Sequence, residues 1–213
     1  MMTEKLREIT DTTVADYEGR AAQFWEGTKT HDVSQNQTAL LDALAAEGRS
    51  GPFRILDFGC GPGRDLAAFR AKGHEPVGLD ATPSFVEMAR ANGECEVLHQ
   101  DFLRLSLLPA SFDGIYANAS MFHIPTTELS RVLGDLRAAL KPRGVLFASN
   151  PHGLDTEGFE RGRYGAFWKW ETWSALVCAA GFEEITHYYR PDGLPREQQP
   201  WLASVWRRRE RPV

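Results

Sequence analysis

The sequence has few cysteines, no long apolar segment and no excess of positive charge, and each absence excludes a class of protein. Its three cysteines, Cys60, Cys95 and Cys178, form no C-x-x-C pair, so neither a zinc cluster nor a disulfide framework is expected. No apolar run approaches the ~20 residues that span a bilayer, and residues 1–10 contain no apolar stretch typical of a signal peptide. The net charge of −5 argues against nucleic-acid binding. We therefore expect a cytoplasmic protein that binds neither nucleic acid, membrane nor metal.

Short apolar runs alternate with helical patterns along most of the 213 residues, without internal repeats or low-complexity segments. Strands are predicted at 53–58, 75–80, 95–100, 112–117, 144–149, 182–189 and 201–207, and helices at 64–72, 83–92, 126–140 and 171–180. Such alternation gives parallel strands with right-handed crossovers and helices on both faces. The last two strands have no helix between them and are expected to pair antiparallel. The predicted fold is α/β, a doubly wound seven-stranded sheet, mostly parallel with an antiparallel C-terminal strand.

The segment before the first predicted strand has a different pattern. Two helices are predicted there, at about 14–25 and 34–46. We interpret residues 1–50 as an N-terminal helical cap over the mouth of the sheet. Residues 51–213 then form the α/β domain, as one structural unit.

The strongest local signal is the segment 57–63 (DFGCGPG), between the first predicted strand and the first predicted helix. Glycine lets the backbone turn tightly and approach a ligand closely. Dinucleotide folds use G-x-G-x-x-G, but the last glycine of that motif would fall on Arg64 or Leu66, so a nicotinamide dehydrogenase is disfavoured. The form G-x-G-x-G preceded by an acid resembles the S-adenosylmethionine (SAM) motif, in which the acid suits the ammonium group of SAM. The cofactor residues predicted from this motif are Asp57, Gly59, Gly61 and Gly63.

Further candidates for cofactor binding stand at the ends of the next strands. Asp80 closes the second predicted strand, where a carboxylate accepts both ribose hydroxyls. Asp101 and Phe102 follow the third, where Asp101 would accept the adenine amine and Phe102 would form an apolar wall. Tyr17, in the first cap helix, resembles the tyrosine that many relatives close over SAM, and Asn118 follows the fourth strand. We therefore expect SAM as cofactor, S-adenosylhomocysteine as its product, and no metal.

Four segments resemble a narrower family: 31–36 (HDVSQN), 57–65 (DFGCGPGRD), 116–120 (YANAS) and the tail 188–201, which includes LPREQQPW. They look like the methyltransferase domain at the C-terminus of bifunctional ovothiol-biosynthesis enzymes, over about residues 17–207. The resemblance implies N-methylation of the imidazole ring of 5-mercaptohistidine, an amino-acid-like small molecule, to give ovothiol. The sulfoxide-synthase half of those enzymes has no counterpart in this sequence. The chain would then be a stand-alone version or an excised domain, and for a stand-alone version a separately encoded sulfoxide synthase is the expected functional partner.

The substrate site must align an imidazole nitrogen with the methyl group while keeping the more nucleophilic sulfur away. A neutral imidazole already carries a lone pair, so a strong base is not required. The predicted catalytic residues are Asn118 and His123; His123 would orient or deprotonate the acceptor, with a purely structural histidine as the alternative. An arginine is expected to hold the substrate carboxylate. The predicted substrate-binding residues are Gln35, Asn36, His123, Asn150, Arg163, Tyr164, Tyr189 and Arg190.

Two alternatives stay open at this point. The motifs do not distinguish methylation of mercaptohistidine from methylation of another small nucleophile, such as a thiol, an amine or a quinol oxygen. They also match a protein that binds SAM without catalysis. Polar residues at open strand ends favour an enzyme.

Overall fold

The computed structural model describes residues 3–210, with only the backbone described at Glu47; the first two residues of the segment 1–10 lie outside this range. The strands are β1 (Arg54–Phe58), β2 (Glu75–Asp80), β3 (Val97–His99), β4 (Phe112–Asn118), β5 (Leu140–Pro151), β6 (Thr156–Glu160), β7 (Arg163–Phe167), β8 (Phe182–Arg190) and β9 (Trp201–Arg208). The helices are α1 (Glu4–Glu18), α2 (Ala21–Thr28), α3 (Ser34–Ala45), α4 (Arg64–Ala71), α5 (Pro83–Gly93), α6 (Thr126–Ala139) and α7 (Trp170–Ala179). Among the described residues, three 3-10 turns lie at Ala46–Gly48, Met121–His123 and Arg196–Gln198, and the second of them follows β4.

Seven strands form one sheet in the order β3-β2-β1-β4-β5-β9-β8. Strands β1 to β5 pair in parallel, whereas β9 is antiparallel to both β5 and β8. The central strands are apolar runs because both faces of the sheet are covered by helices. On one face the core contains Leu40, Leu44 and Phe69, and on the other Leu133 and Trp173. The predicted doubly wound α/β fold is confirmed.

The strand order reverses at β1, because β2 lies on one side of it and β4 on the other. In open parallel sheets of this kind, a crevice forms beyond the carboxyl ends of the strands at the reversal point. The loop 59–63 leaves β1 there, and Asn118 ends β4 there. The topology therefore brings the glycine motif and the residues after β4 to one place.

The N-terminal region contains three helices where two were predicted. The first, α1, begins at Glu4 and ends at Glu18; the N–H of Gly19 then donates to the carbonyl of Ala15, and the N–H of Arg20 to that of Tyr17. Arg20 is not helical (φ −140°), so the chain turns before α2. Helix α3 packs on β4, β5 and β9 as part of the helical layer rather than only over the mouth of the sheet.

The hairpin β6–β7 was not predicted. Arg161 and Gly162 at its tip both have positive φ (49° and 83°), as a tight two-residue hairpin turn requires. The hairpin packs through β7 against α1 and the turn 121–123. Arg163 and Tyr164 therefore lie in a strand, and β8 extends one residue beyond the predicted strand 182–189, so that it includes both Tyr189 and Arg190.

Within residues 3–210, every helix is too short or too polar to span a bilayer.

Candidate active site

A cleft at the carboxyl ends of β1, β2 and β4 contains two adjoining chambers. The small chamber has a volume of about 90 Å³ and the large chamber about 590 Å³. The volume of the large chamber falls in the range of ~300–1,000 Å³ that is typical of ligand sites. Five residues line both chambers and mark their junction: Tyr17, Phe24, Gly59, Gly61 and Ala119.

The glycine loop forms the floor of the junction, and each glycine there has a different requirement. Gly59 (φ +80°) has no room for a Cβ, which would overlap the Cβ of Ser120. At Gly63 (φ +93°) a Cβ would lie 2.8 Å from Cα of Ala89, where α4 and α5 pack closely. At Gly61 (φ +50°) a Cβ would instead meet only Phe24, at an ordinary contact distance of 3.7 Å. Two of the glycines are therefore needed for packing, and Gly61 leaves room for a ligand.

Asp80, at the end of β2, lies on the wall of the small chamber. Its two carboxylate oxygens accept hydrogen bonds from the backbone N–H groups of Gly61 (3.0 Å) and Thr82 (2.9 Å). Burial raises the pKa of this carboxyl. Each oxygen can accept a second hydrogen bond, so the arrangement suits a pair of hydroxyl donors.

Asp101 and Phe102 also line the small chamber, as predicted for an adenine site. Asp101 Oδ1 accepts the N–H of Leu103 at 2.8 Å, which fixes the carboxylate at the strand end. The ring of Phe102 stacks on Phe58 with a centroid distance of 4.2 Å. An acceptor and an apolar wall therefore stand side by side in this chamber.

Asp57 lies behind the glycine loop and is not among the residues that line the two chambers. It is 2% exposed, and its Oδ2 has no hydrogen-bond partner within residues 3–210. Burial raises the pKa of Asp57 well above its usual range, and the neighbouring Asp65 adds to this effect. The contact of Asp57 with an ammonium group stays a prediction. Its unpartnered oxygen is an acceptor that the described residues leave unused.

Tyr17, His123 and Arg163 form a hydrogen-bonded chain over the junction. Nδ1 of His123 lies 2.6 Å from the carbonyl oxygen of Tyr164; because a carbonyl only accepts, Nδ1 carries the proton. Nε2 therefore accepts from the Tyr17 hydroxyl at 2.9 Å, and Arg163 donates to that hydroxyl oxygen at 3.1 Å. Burial lowers the pKa of His123 to about 4. His123 is thus a weak base whose lone pair is occupied, which favours the alternative of a structural histidine that holds Tyr17.

Three arginines line the large chamber, Arg64, Arg163 and Arg190, and Arg64 is paired with Asp65 at 2.7 Å. Arg163 Nε lies 3.4 Å from a carboxylate oxygen of Asp16, and its guanidinium lies 5.2 Å from the centre of the Tyr17 ring. Arg190 donates to the carbonyl oxygen of Asp32 at 3.1 Å, and its buried Nε has no partner among the described residues. No carboxylate forms an ion pair with Arg190 within residues 3–210, so Arg190 is the arginine more available to an anionic ligand.

Asn36, Asn118 and Tyr188 are joined by hydrogen bonds beside the large chamber. Asn36 Nδ2 donates to Asn118 Oδ1 at 3.0 Å, and the Tyr188 hydroxyl donates to Asn36 Oδ1 at 3.0 Å. Both asparagines line the chamber. Tyr189, predicted as the contact from this strand, faces the other way, and its ring lies under the guanidinium of Arg196 at 3.4 Å. The tyrosine next to the site is therefore Tyr188.

Three other predicted substrate residues lie outside both chambers. Gln35 is exposed on α3. Tyr164 is buried in the core, and its hydroxyl is bonded to Glu157. Asn150 is buried with neither polar side-chain atom partnered in the described part of the chain. Strand β5 continues to Pro151, and successive side chains of a strand point to opposite faces. Ser149 therefore faces the large chamber and Asn150 faces away from it.

Several wall residues were not predicted. Phe24 and Phe85 form an aromatic group with the predicted Tyr17, with ring centroids 5.1–5.5 Å apart. Thr10 and Thr13 line the small chamber from α1, and their spacing with Tyr17 on one helical face was a usable signal. The other unpredicted wall residues include Phe122, Ser149 and Trp201, whereas Ser120, which follows the fourth strand with Asn118 and His123, was a candidate from the sequence. Of these wall residues, only those of α1 could have been predicted from the sequence around them.

These features fit SAM. Gly61 leaves a space that a Cβ would fill, Asp57 has an unpartnered carboxylate oxygen, and Asp80 offers two acceptors next to the apolar wall of Phe102. For metals, residues 3–210 contain no group of three or more His, Cys, Asp or Glu side chains arranged to hold an ion.

Residues 55–144 match the family model described as "Methyltransferase domain". The chain is 33% identical over 129 residues to 24-methylenesterol C-methyltransferase 2 of Oryza sativa subsp. japonica, covering 51% of this chain and 35% of that protein. It is 26% identical over 171 residues to ubiquinone biosynthesis O-methyltransferase of Xanthomonas campestris pv. campestris, covering 78% and 66%. The chain thus spans from about a third to just under two thirds of these relatives.

Among solved structures, the chain resembles 1,6-didemethyltoxoflavin-N1-methyltransferase of Burkholderia thailandensis, which was crystallised with S-adenosylhomocysteine and 1,6-didemethyltoxoflavin. The TM-score is 0.72 at 22% identity, over 96% of this chain and 90% of that one. At this identity the match establishes the fold. Fold, glycine motif and family model agree: the chain has the class I methyltransferase fold, and its residues 55–144 match a methyltransferase domain.

Proposed function

We propose that the protein N-methylates the imidazole ring of 5-mercaptohistidine to give ovothiol, with SAM as the methyl donor. SAM supplies an electrophilic methyl group on a sulfonium sulfur. The ribose hydroxyls would bind Asp80, and the adenine would lie between Asp101 and Phe102. Tyr17, fixed by His123, would cover the cofactor at the junction of the two chambers.

One observation carries the choice of acceptor. The two segments with the most restricted resemblance, 31–36 and 188–201, are far apart in the sequence but meet at the wall of the large chamber. The first contributes His31, Asp32, Val33 and Asn36, and the second Arg190, Pro191 and Trp201. The two segments with the most restricted resemblance are therefore the ones that an acceptor would touch.

The chemistry needs alignment more than acid–base catalysis. In the proposed reaction the sulfonium S–CH₃ bond breaks as a ring nitrogen lone pair forms the N–CH₃ bond. S-adenosylhomocysteine leaves, and the methylated ring releases its proton to water. Because a neutral imidazole has an available lone pair, the engaged and weakly basic His123 is consistent with this reaction.

An amino-acid acceptor also needs a partner for its carboxylate. Arg190 lines the large chamber and has a buried Nε without a partner among the described residues. Arg163 is already engaged by Asp16 and Tyr17. We therefore assign carboxylate binding to Arg190.

The test is incubation with SAM and 5-mercaptohistidine, with histidine as the control acceptor. We expect a singly methylated product that NMR assigns to a ring nitrogen. Substituting Arg190→Gln should raise the KM for the acceptor about tenfold or more, since a charge-assisted hydrogen bond is worth about 1.5–3 kcal/mol. Arg196→Gln, outside the chamber against Tyr189, is the matched control and should leave KM unchanged.

The proposal fails if histidine is turned over as fast as mercaptohistidine, or if the wild-type product is S-methylated. Methylation of a different thiol, amine or quinol oxygen in place of mercaptohistidine would keep the enzyme class and replace the acceptor. SAM binding without turnover of any acceptor would point to a non-catalytic protein. The proposed substrate also requires an enzyme that places sulfur on the histidine ring, and a separately encoded sulfoxide synthase would be that partner.

A further inference from the structure

Asn36 connects the acceptor chamber to the C-terminal part of the sheet. It is 1% exposed, and its amide is bonded on one side to Tyr188 on β8 and on the other to Asn118 at the end of β4. Tyr188 and Asn36 lie 152 positions apart in the chain. Because water has almost no access to this amide, its orientation is determined by these two partners.

The direction of the two hydrogen bonds determines what Asn118 offers to the chamber. Burial raises the pKa of Tyr188 to about 12, so its hydroxyl keeps the proton and can donate to Asn36 Oδ1. Asn36 Nδ2 then donates to Asn118, and because only an oxygen of that amide can accept, the acceptor is Asn118 Oδ1. Asn118 Nδ2 has no partner among residues 3–210, and Asn118 lines the large chamber. A flipped Asn118 would place two NH₂ groups against each other.

Asn118 also stands where the reacting atoms would meet. The next residue, Ala119, lines both chambers and has a positive φ of 61°, which is uncommon for a residue other than glycine. A hydrogen-bond donor at this place attracts the most electron-rich atom of an acceptor. In 5-mercaptohistidine, that atom is the sulfur, which is largely thiolate.

We propose that Tyr188 and Asn36 are positioning residues that hold Asn118 as an obligatory hydrogen-bond donor to the acceptor's sulfur, and so direct methylation to nitrogen. This inference rests on the proposed function. The donor turns the sulfur lone pairs toward the protein and away from the methyl group. A ring nitrogen is then left as the nucleophile facing the junction.

The decisive comparison is Tyr188→Phe against Tyr189→Phe, two neighbouring tyrosines on opposite faces of β8. Loss of the Tyr188 hydroxyl frees the Asn36 amide to turn, and Asn118 with it. We expect the ratio of N-methyl to S-methyl product to fall at least tenfold and the KM for mercaptohistidine to rise about tenfold. The affinity for S-adenosylhomocysteine, measured by calorimetry, should stay within twofold of wild type. Tyr189→Phe should match wild type in all three measurements.

Asn118→Asp is the second variant, and it tests polarity directly at a partly exposed position. It replaces the donor with a carboxylate of nearly the same shape, so mercaptohistidine binding to the enzyme loaded with S-adenosylhomocysteine should be lost by more than tenfold. A wild-type product ratio and KM in Tyr188→Phe, or undiminished mercaptohistidine binding in Asn118→Asp, would overturn the positioning role. If the wild-type protein itself neither binds nor methylates mercaptohistidine, the proposed function fails, which is a separate and recognisable result.

Discussion

The two chambers of the cleft are built in different ways. The groups of the small chamber that are assigned to the adenosine of the cofactor stand at the ends of neighbouring strands, Asp80 as the last residue of β2 and Asp101 and Phe102 just after β3, and α1 closes over them. The large chamber is assembled from segments distant in sequence. Asn36 on α3 and Arg190 on β8, for example, meet there only because β8 and β9 fold back against β5.

The difference separates two sources of specificity. A chamber made of strand ends depends on local backbone geometry and is shared by proteins with the same sheet. A chamber made of remote side chains depends on how the cap, the hairpin β6–β7 and the last strands pack on that sheet. We therefore expect substitutions in the first to affect folding and cofactor binding, and substitutions in the second to affect the acceptor.

The largest expected effect concerns the glycine loop. It distinguishes Gly59, which is needed for packing, from Gly61, which leaves room for a ligand. Gly59→Ala combines a left-handed backbone with overlap against Ser120, and we expect it to destabilise the protein by about 2–5 kcal/mol. Gly61→Ala has only the backbone term, about 1–2 kcal/mol, because the space around it is open. Urea unfolding without ligand measures both. The same loss of stability in both variants would show that the open space at Gly61 does not distinguish it from Gly59.

The next effect concerns the cofactor. Asp80→Ala should weaken SAM and S-adenosylhomocysteine by about 30- to 1,000-fold, because two charge-assisted hydrogen bonds are lost, together worth roughly 2–4 kcal/mol. Calorimetric titration is the measurement. Asp135→Ala, which removes only a surface ion pair with Arg131, is the control and should bind normally. Unchanged affinity in folded Asp80→Ala would place the ribose elsewhere, and tight binding of NAD with no binding of SAM would overturn the cofactor assignment.

The same contrast explains which parts of the molecule were predictable from the sequence. The sheet and the strand-end candidates depend on alternation and on glycines, which are visible within about ten residues. The choice between Tyr188 and Tyr189 is not visible locally, because the ladder between β8 and β9 shifts register between Glu184 and Thr186. Such an irregularity reverses which side chains face the site.

Asn150 was misassigned for a related reason. Its strand continues past the predicted end because β9 pairs with it as far as Pro151, opposite Trp201. Pairing between segments 50 positions apart therefore decides where the strand ends, and the sequence around Asn150 does not. The hairpin that carries Arg163 likewise lacks a long apolar pattern and is held by contacts with α1.

The smallest expected effect tests the hydrogen-bonded chain of Tyr17, His123 and Arg163. It is measured as the change in the stability of the protein at acid pH. His123 has a folded-state pKa of about 4, below its ordinary value of 6.5, because it is buried. Between these two values the unfolded chain binds a proton that the folded protein does not, so the contribution of His123 to stability is complete above pH 6.5. It is lost as the pH falls toward 4. At pH 5 this loss amounts to about 2 kcal/mol.

His123→Gln removes the titration while keeping the hydrogen bonds, since an amide can accept from Tyr17 and donate to the carbonyl of Tyr164. We expect the free energy of unfolding, measured in urea, to fall by about 2 kcal/mol less in the variant than in wild type between pH 7 and pH 5. Between pH 7 and pH 8, where His123 is neutral in both states, the difference between the two proteins should stay constant. Parallel stability curves down to pH 5 would mean that His123 is accessible to protons in the folded protein, and that the closed arrangement of Tyr17 over the cleft does not persist in solution.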